Sequence, residues 1–222
     1  MDLIEAVKAR HSVRSYTEQK IEGGTLAQLQ QLTEECNRDG GLGIKLMLNE
    51  PQAFSGMMAH YGKFRNVYNY IALVGRKDDE ALEEKCGYYG EKLVLAAQQL
   101  GLNTCWVAAT YNKGKCPVEL SPEQKLLLVI SIGYGQTQGT SHKNKPIEQL
   151  YECNGPLPPW FRKGVEAAQL APTAINQQKF CFKLDGNKVI ASTGWGFYVK
   201  IDLGIAKYHF ETGAGSEGWQ WA

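Results

Sequence analysis

The sequence predicts an α+β fold, with a central mixed or antiparallel sheet flanked by helices. Three observations carry that reading. Helical and strand periodicities both occur along the 222 residues, but they never alternate as the regular βαβ units a parallel sheet needs. The stretch "FCFKLDGNKVIAST" reads as a hairpin, two strands around Asp185-Gly186, a dipeptide typical of a type I′ turn. The length suits one large domain or two small ones with a sizeable core.

Taken in order, "DLIEAVKAR" is a short helix, with Asp2 and Glu5 three apart as a capping box and Leu3, Ile4 and Val7 on one face. "TLAQLQQLTEEC" repeats the pattern, with Thr25 as the expected cap, Gln28 at the box position, and Leu26, Leu29 and Leu32 inward. "IKLMLNE" and "NYIALVG" are strands. Residues 79–100 are the longest helix and stop at Gly101, a natural C-terminal glycine. "NTCWVAAT" is strand or extended loop, "SPEQKL" a helical turn opened by Pro122, and "LLLVISIGYG" a buried strand. The polar "GQTQGTSHKNKP" is a long loop. A helix starts near Trp160 and ends by Ala171, because Pro172 disfavours helical geometry before it. "KIDLGIAKYHFETGAG" is the last helix, and the tryptophans of "SEGWQWA" dock on the body or on a partner.

Helix, strand, strand, helix occurs twice in this order. The first run ends in "GYYGEKLVLAAQQLGL" and the second in "IDLGIAKYHFETGAG", each with glycine near its start. This points to an internal pseudo-two-fold repeat within one domain, residues 1–222, with half-repeats of about 1–150 and 156–222.

Charge is balanced, 24 Lys+Arg against 23 Asp+Glu. That gives no global field for nucleic acid and no charged tail for a partner. The longest apolar run is too short to cross a membrane. The N-terminus has no apolar run of signal-peptide type. The six cysteines lack CxxC spacing, and no histidine completes a metal-ligand pattern. They are read as free thiols and chemical spectators in a reducing cytoplasm, since no nearby cationic pair marks any of them as a low-pKa thiolate.

Three clusters carry chemistry. In "ARHSVRSY", Arg10, His11 and Arg14 surround Ser12 and Ser15 just after a helix. Such a set makes charge-assisted bonds to a phosphate or to carbonyl oxygens, or is a solvated basic patch. In "SHKNKP", Lys143 and Lys145 alternate and, in an extended chain, point the same way, toward an anion or into solvent. In "LAPTAINQQ", Pro172 stiffens a loop where Thr173, Asn176, Gln177 and Gln178 offer neutral donors and acceptors, suited to a heteroaromatic ring edge or to a helix end. Together they suit opposite ends of one ligand, a phosphate tail and a planar polar ring. Neither GxGxxG nor GxxxxGK[ST] is present.

These segments resemble the nitroreductase family of FMN-dependent oxidoreductases. "RHSVRSY" matches that family's opening R-[RH]-S-x-[RK]-x-[FY] motif, and "AAQLAPTAINQQ" resembles A-A-x-x-A-P-S-x-x-N-x-Q, with Thr173 for the usual serine. "LAAQQLGLNTCWV" and "ISIGYG" followed by "KNKP" resemble its later segments. One departure is large: ordinary members carry A-P-S-x-x-N soon after R-x-S-x-R, whereas here "CNRDGGLGIKL" holds that place and the motif sits in the C-terminal half. That arrangement is similar to a divergent subgroup of the family.

The resemblance implies a nitroreductase-like fold and bound FMN. Arg10, His11 and Ser12 would serve the phosphate and ribityl end, Arg14 the pyrimidine end, and Lys143 and Lys145 a phosphate clamp. A backbone N–H of Ala108 or Ala109 would approach flavin N5, and Pro172, Thr173 and Asn176 would serve from the second half. It further implies hydride transfer from NAD(P)H through flavin N5 to a nitroaromatic or quinone, with no catalytic side chain because the flavin carries the chemistry. Ordinary members are homodimers with FMN at the interface, so the displaced motif implies a fused pair in which one chain completes one site, favouring a monomer. Two rival readings remain, an FMN-binding or sensing protein without turnover and a flavin-free structural homologue.

Overall fold

Asp2 and Glu5 cap the first helix reciprocally, each backbone N–H meeting the other's carboxylate at 2.8 Å. That capping box fixes α1 (Leu3–Ala9) where the sequence puts it. The computed structural model describes residues 1–222. The chain forms two compact units: the first is Met1–Lys8, Glu83–Lys92 and His142–Ala222, the second Ala9–Leu82 and Leu93–Ser141.

The second unit is built on an antiparallel sheet, order β1-β2-β4-β3, from β1 (Lys45–Met47), β2 (Asn69–Arg76), β3 (Asn103–Val107) and β4 (Gln124–Gly133). Near-continuous burial along β2 and β4 explains why both read as apolar runs rather than alternating ones. Their side chains meet Val13, Tyr16, Phe54, Phe64 and Tyr111 in one core. Helix α2 (Gly23–Gly40) starts two residues before Thr25, which lies inside it and is not its cap. It buries Leu29, Thr33, Cys36 and Gly40, while Leu26 and Leu32 stay half-buried. The expected strand "IKLMLNE" forms only over Lys45–Met47, and residues 51–68 hold a one-turn 3₁₀ segment (Gln52–Phe54) and the short helix α3 (Met57–Tyr61). "SPEQKL" is a turn for two residues and then already β4, because Gln124 pairs with Arg76. Helix α4 (Leu82–Gln99) contributes residues 83–92 to the first unit, and Leu82 with residues 93–99 to the second.

The first unit holds the mixed sheet, order β5-β6-β7-β8: β5 (Tyr151–Cys153), β6 (Phe180–Asp185), β7 (Lys188–Thr193) and β8 (Gln220–Trp221). The outer pairs are parallel and the β6–β7 hairpin antiparallel. Asp185 pairs with Lys188, so the turn residues are Gly186 and Asn187, one position later than expected. Only Gly186 has positive φ, so the turn is not type I′. Helix α5 (Pro159–Ala168) ends three residues before Ala171, and α6 (Val199–Ala214) packs against it. The C-terminal tryptophans dock on this unit. Trp219 stacks on Trp160 with centroids 5.8 Å apart, and Trp221 lies 5.4 Å from the Phe210 ring. The order helix-strand-strand-helix holds for α5-β6-β7-α6, whereas α3 interrupts the first run, which reads α2-β1-α3-β2-α4. No helix is long and apolar enough to cross a membrane.

His209 and Glu91, both fully buried in the first unit, meet at 2.8 Å, and the other ring nitrogen of His209 faces the Ala167 carbonyl at 3.1 Å. The pairing gives each buried polar group a partner, the condition for keeping such groups in a core.

Candidate functional site

Beyond α1 the chain belongs to no strand, yet it is pinned almost residue by residue. Val13 donates to the Thr104 carbonyl at 3.0 Å, Tyr16 to Arg65 at 3.1 Å, and Thr17 to Tyr134 at 2.8 Å. Arg65 donates back to Arg14 O at 2.9 Å, and Gln136 to Ser15 O at 2.9 Å. Val13 and Tyr16 turn into the core, and the Tyr16 hydroxyl bonds Val13 O and Ser131 Oγ. Burial drives the Tyr16 phenol far above its ordinary pKa, so it stays protonated. Alternation turns Arg14 outward, while Arg10 is only 3% exposed and His11 and Ser12 are half-buried.

The loop after β4 lies directly on this segment. A Cβ at Gly139 (φ 73) would meet His11 Cβ at 2.8 Å and Ser12 O at 3.1 Å. Its glycine therefore follows from both backbone sign and space. Ser12 also hydrogen-bonds Cys105, and the charges of Arg14 and Arg10 bear on that thiol. The absence of a cationic neighbour for the cysteines is thus corrected for Cys105: the fold brings two arginines to it. Burial still dominates, and its pKa is raised. Ala108 and Ala109 follow β3 in a bend, just past the last ladder pair, Val107 with Val129. The result is a rigid ledge carrying two guanidiniums, an imidazole and a hydroxyl, a donor set suited to an anionic oxygen-rich group.

In the first unit, residues 173–178 form a tight loop against 143–145. Ile175, Asn176 and Gln178 all have left-handed φ, at 48°, 56° and 45°. For β-branched Ile175 that is strained, and it is 94% exposed, so its own packing does not cause it. Hydrogen bonds impose it. Asn176 N donates to Thr173 O, Gln177 N to Ala174 O and Gln178 N to Thr173 Oγ1, each at 3.0 Å.

Gln178, 2% exposed, joins the two strips. Its amide nitrogen donates to Lys143 O and Asn176 Oδ1, and its amide oxygen accepts from Lys145 N. The Lys145 ammonium bonds Gln178 O at 2.7 Å, and the Asn176 amide donates to Lys143 O at 2.8 Å. So Lys145 and Asn176 spend polar groups on the loop itself, whereas the Lys143 side chain is exposed. Pro172 is buried and Thr173 half-buried.

Sequence reasoning missed Gln178 as the hub, and it missed Asp202. Asp202, 3% exposed in the first turn of α6, accepts from Ala174 N at 2.9 Å and from the Gln177 amide at 2.7 Å. Burial raises its carboxyl to about 6, against the lowering effect of those two donors. The lone acid in the apolar run "KIDLGIA" was the available signal. With the folded pKa above the unfolded one, the folded state holds the extra proton between about pH 4 and 6. The stabilisation is complete below that window and is lost as pH rises through it. Two units correspond to about 3 kcal/mol. Urea unfolding at pH 4 and pH 7 should show the parent chain losing about that much relative to Asp202→Asn, which has no such titration.

Arg10, His11, Ser12, Arg14, Ala108 and Ala109 thus gather in the second unit, and Lys143, Lys145, Pro172, Thr173 and Asn176 in the first. A family model described as "Putative TM nitroreductase" matches residues 2–214. A "putative nitroreductase" structure from Thermotoga maritima is 27% identical, with 95% of this chain and 82% of that one covered, at a TM-score of 0.67. A "putative NADH dehydrogenase/NAD(P)H nitroreductase" from Parabacteroides distasonis, 21% identical, shares the fold over 69% of this chain and 98% of its own, TM-score 0.53. So does a "putative nitroreductase in complex with FMN" from Desulfovibrio desulfuricans, 19% identical over 71% and 99%, TM-score 0.54. No curated protein matches the chain. With nearly its whole length matched by that one model, the chain belongs to the "Putative TM nitroreductase" family.

Proposed function

We propose that the chain is an FMN-dependent oxidoreductase that uses NAD(P)H to reduce an electron-poor acceptor, a nitroaromatic or a quinone. One observation carries the proposal beyond family membership: residues 12–17 are bonded to three neighbouring segments, so the backbone that carries Ser12 and Arg14 is organised before any ligand arrives. Bound FMN supplies the redox chemistry at N5.

The chain's own residues bind and orient. Arg10 and Ser12, with His11 alongside, hold the phosphate and ribityl end through charge-assisted bonds. Arg14, the outward guanidinium, places positive charge near the pyrimidine end, where it favours the reduced, anionic ring. The N–H of Ala108 or Ala109 is the donor toward N5. Of the two loop lysines, exposed Lys143 is the cation open to a phosphate, because Lys145 already serves Gln178 O. Thr173 and Asn176 are the residues of the 173–178 loop that the family resemblance offers to a flavin. Burial-raised Cys105 remains a neutral thiol and takes no part in the redox step.

Purified protein should be yellow, absorbing near ~450 nm as flavins do, with one FMN per chain. It should oxidise NADH or NADPH when menadione is supplied. A yellow protein without turnover would favour a sensing role. A colourless protein that takes up no FMN on dialysis would sink the flavin reading.

A further inference from the structure

Asp202 is a costly residue for its position. It is an acid almost wholly removed from water at the start of α6. Both groups that face it are neutral, the Ala174 N–H and the Gln177 amide. The charged groups on the elements around it are engaged elsewhere. On α4, Glu84 pairs with Lys207 at 2.7 Å, the Tyr88 hydroxyl donates to Glu211, and Glu91 meets His209. Beside β7, the Lys179 ammonium donates to the Trp195 carbonyl at 2.7 Å. Lys200, on α6 itself, is exposed to solvent. A buried carboxylate held only by neutral donors weakens a fold unless its bonds do something a neutral side chain cannot.

Those bonds close a circuit. The Gln177 amide nitrogen gives one hydrogen to Asp202 Oδ2 and the other to the Phe197 carbonyl at 2.8 Å. Ala174 N, on the other oxygen, is the residue before the left-handed Ile175–Asn176 pair. Tyr198, at φ 59 also left-handed, ends the "GWGFY" turn just before α6, and its carbonyl accepts Asp202 N at 3.0 Å. One carboxylate therefore ties together two strained segments that leave Ile175, Trp195 and Phe197 in solvent. An ionised acid accepts strongly from both donors at once, whereas a protonated one keeps only a weak acceptor on its hydroxyl oxygen. An amide there would turn its NH₂ toward the Gln177 NH₂ or toward the Ala174 N–H. Gln177 cannot flip to relieve this, because its second hydrogen is held by Phe197 O.

We propose that Asp202 is a positioning residue: its carboxylate, through Ala174 N and the Gln177 amide, holds the 173–178 loop and the Trp195–Tyr198 turn in the conformation that receives the flavin. This rests on the flavin reading above. Protonation turns one of the two acceptors into a hydroxyl and weakens that side of the circuit, while it relieves the burial of charge. Loop order and global stability therefore move in opposite directions as pH falls.

The test uses the full chain. FMN affinity of the unmodified protein should drop several-fold from pH 7.5 to pH 5. Asp202→Asn should bind FMN about tenfold more weakly at pH 7.5 and show a flat profile, with a thermal midpoint at pH 7.5 equal to or above the parent's. Hydrogen exchange at the Ala174 amide should speed up in Asp202→Asn, and in the parent on acidification after correction for intrinsic rates. A purely structural Asp202 would instead lower the midpoint and leave the flavin affinity and its pH profile unchanged, which would overturn the proposal. If the parent takes up no FMN, the flavin reading fails by itself, and exchange at Ala174 still decides whether Asp202 orders the loop. If Asp202→Asn does not fold, the pH titration of the parent, which needs no variant, decides it.

Discussion

Arg10→Ala weakens FMN binding by roughly 1.5–3 kcal/mol, the worth of a hydrogen bond to a charged group, or about ten- to a hundredfold in Kd. The size follows from the setting. Arg10 is only 3% exposed, so its donors act where water competes little. It directly follows α1 and is itself buried, so little side-chain ordering is needed on binding. Truncating a buried side chain also disturbs packing, and Arg14→Ala supplies the control, because Arg14 is exposed and its loss empties no core volume. Both variants should weaken FMN in equilibrium dialysis while circular dichroism stays unchanged for Arg14→Ala. Wild-type affinity in the double variant would mean that the flavin is held elsewhere.

Gly204→Ala destabilises the chain by about 3 kcal/mol or more, at the top of the range for overpacking. In the first unit α6 meets the 83–92 part of α4 backbone to backbone. A Cβ at Gly204 would come within 2.0 Å of the Glu84 carbonyl oxygen and 2.7 Å of Tyr88 N. The contact is reciprocal, since a Cβ at Gly87 would lie 2.1 Å from Ile201 O. No rotamer change relieves a clash with backbone, so the helices must separate, and the turn that carries Asp202 moves with them. Gly24→Ala is the matched control. Its added methyl meets nothing within 4 Å, its φ is ordinary and it lies in α2, so the change should be neutral or mildly stabilising. Urea unfolding of the two variants side by side checks both. A Gly204→Ala protein as stable as the parent would show that the two helices do not meet as described.

Gly87 and Gly204 were visible as the shared feature of two final helices, but their reason was not. Helical periodicity gives the face of a helix, not the distance at which another backbone crosses it. The same limit explains Asp202 and Gln178. Each is one polar residue in an ordinary local pattern, and each matters because of a partner in a different segment, Ala174 or Lys143. The turn at Gly186-Asn187 fell one residue late because strand register follows from pairing with the neighbouring strand, which turn composition only approximates.

What the sequence alone determined is what local chemistry determines. The Asp2–Glu5 box starts α1, the apolar runs of β2 and β4 are buried strands, Gly101 with φ 80 follows the end of α4, and mixed periodicities give an α+β chain. The short motifs, taken together, carried the family resemblance, because the residue types a phosphate or a ring edge needs stand close together in the chain. Only the tertiary structure decided that residues 12–17 are locked between Thr104, Arg65 and Tyr134. It also committed the ammonium of Lys145 to Gln178 and put a buried carboxylate beneath the 173–178 loop. These depend on long-range hydrogen bonds and on desolvation, which arise when distant segments exclude water from one another and leave no trace in the spacing of residues along the chain.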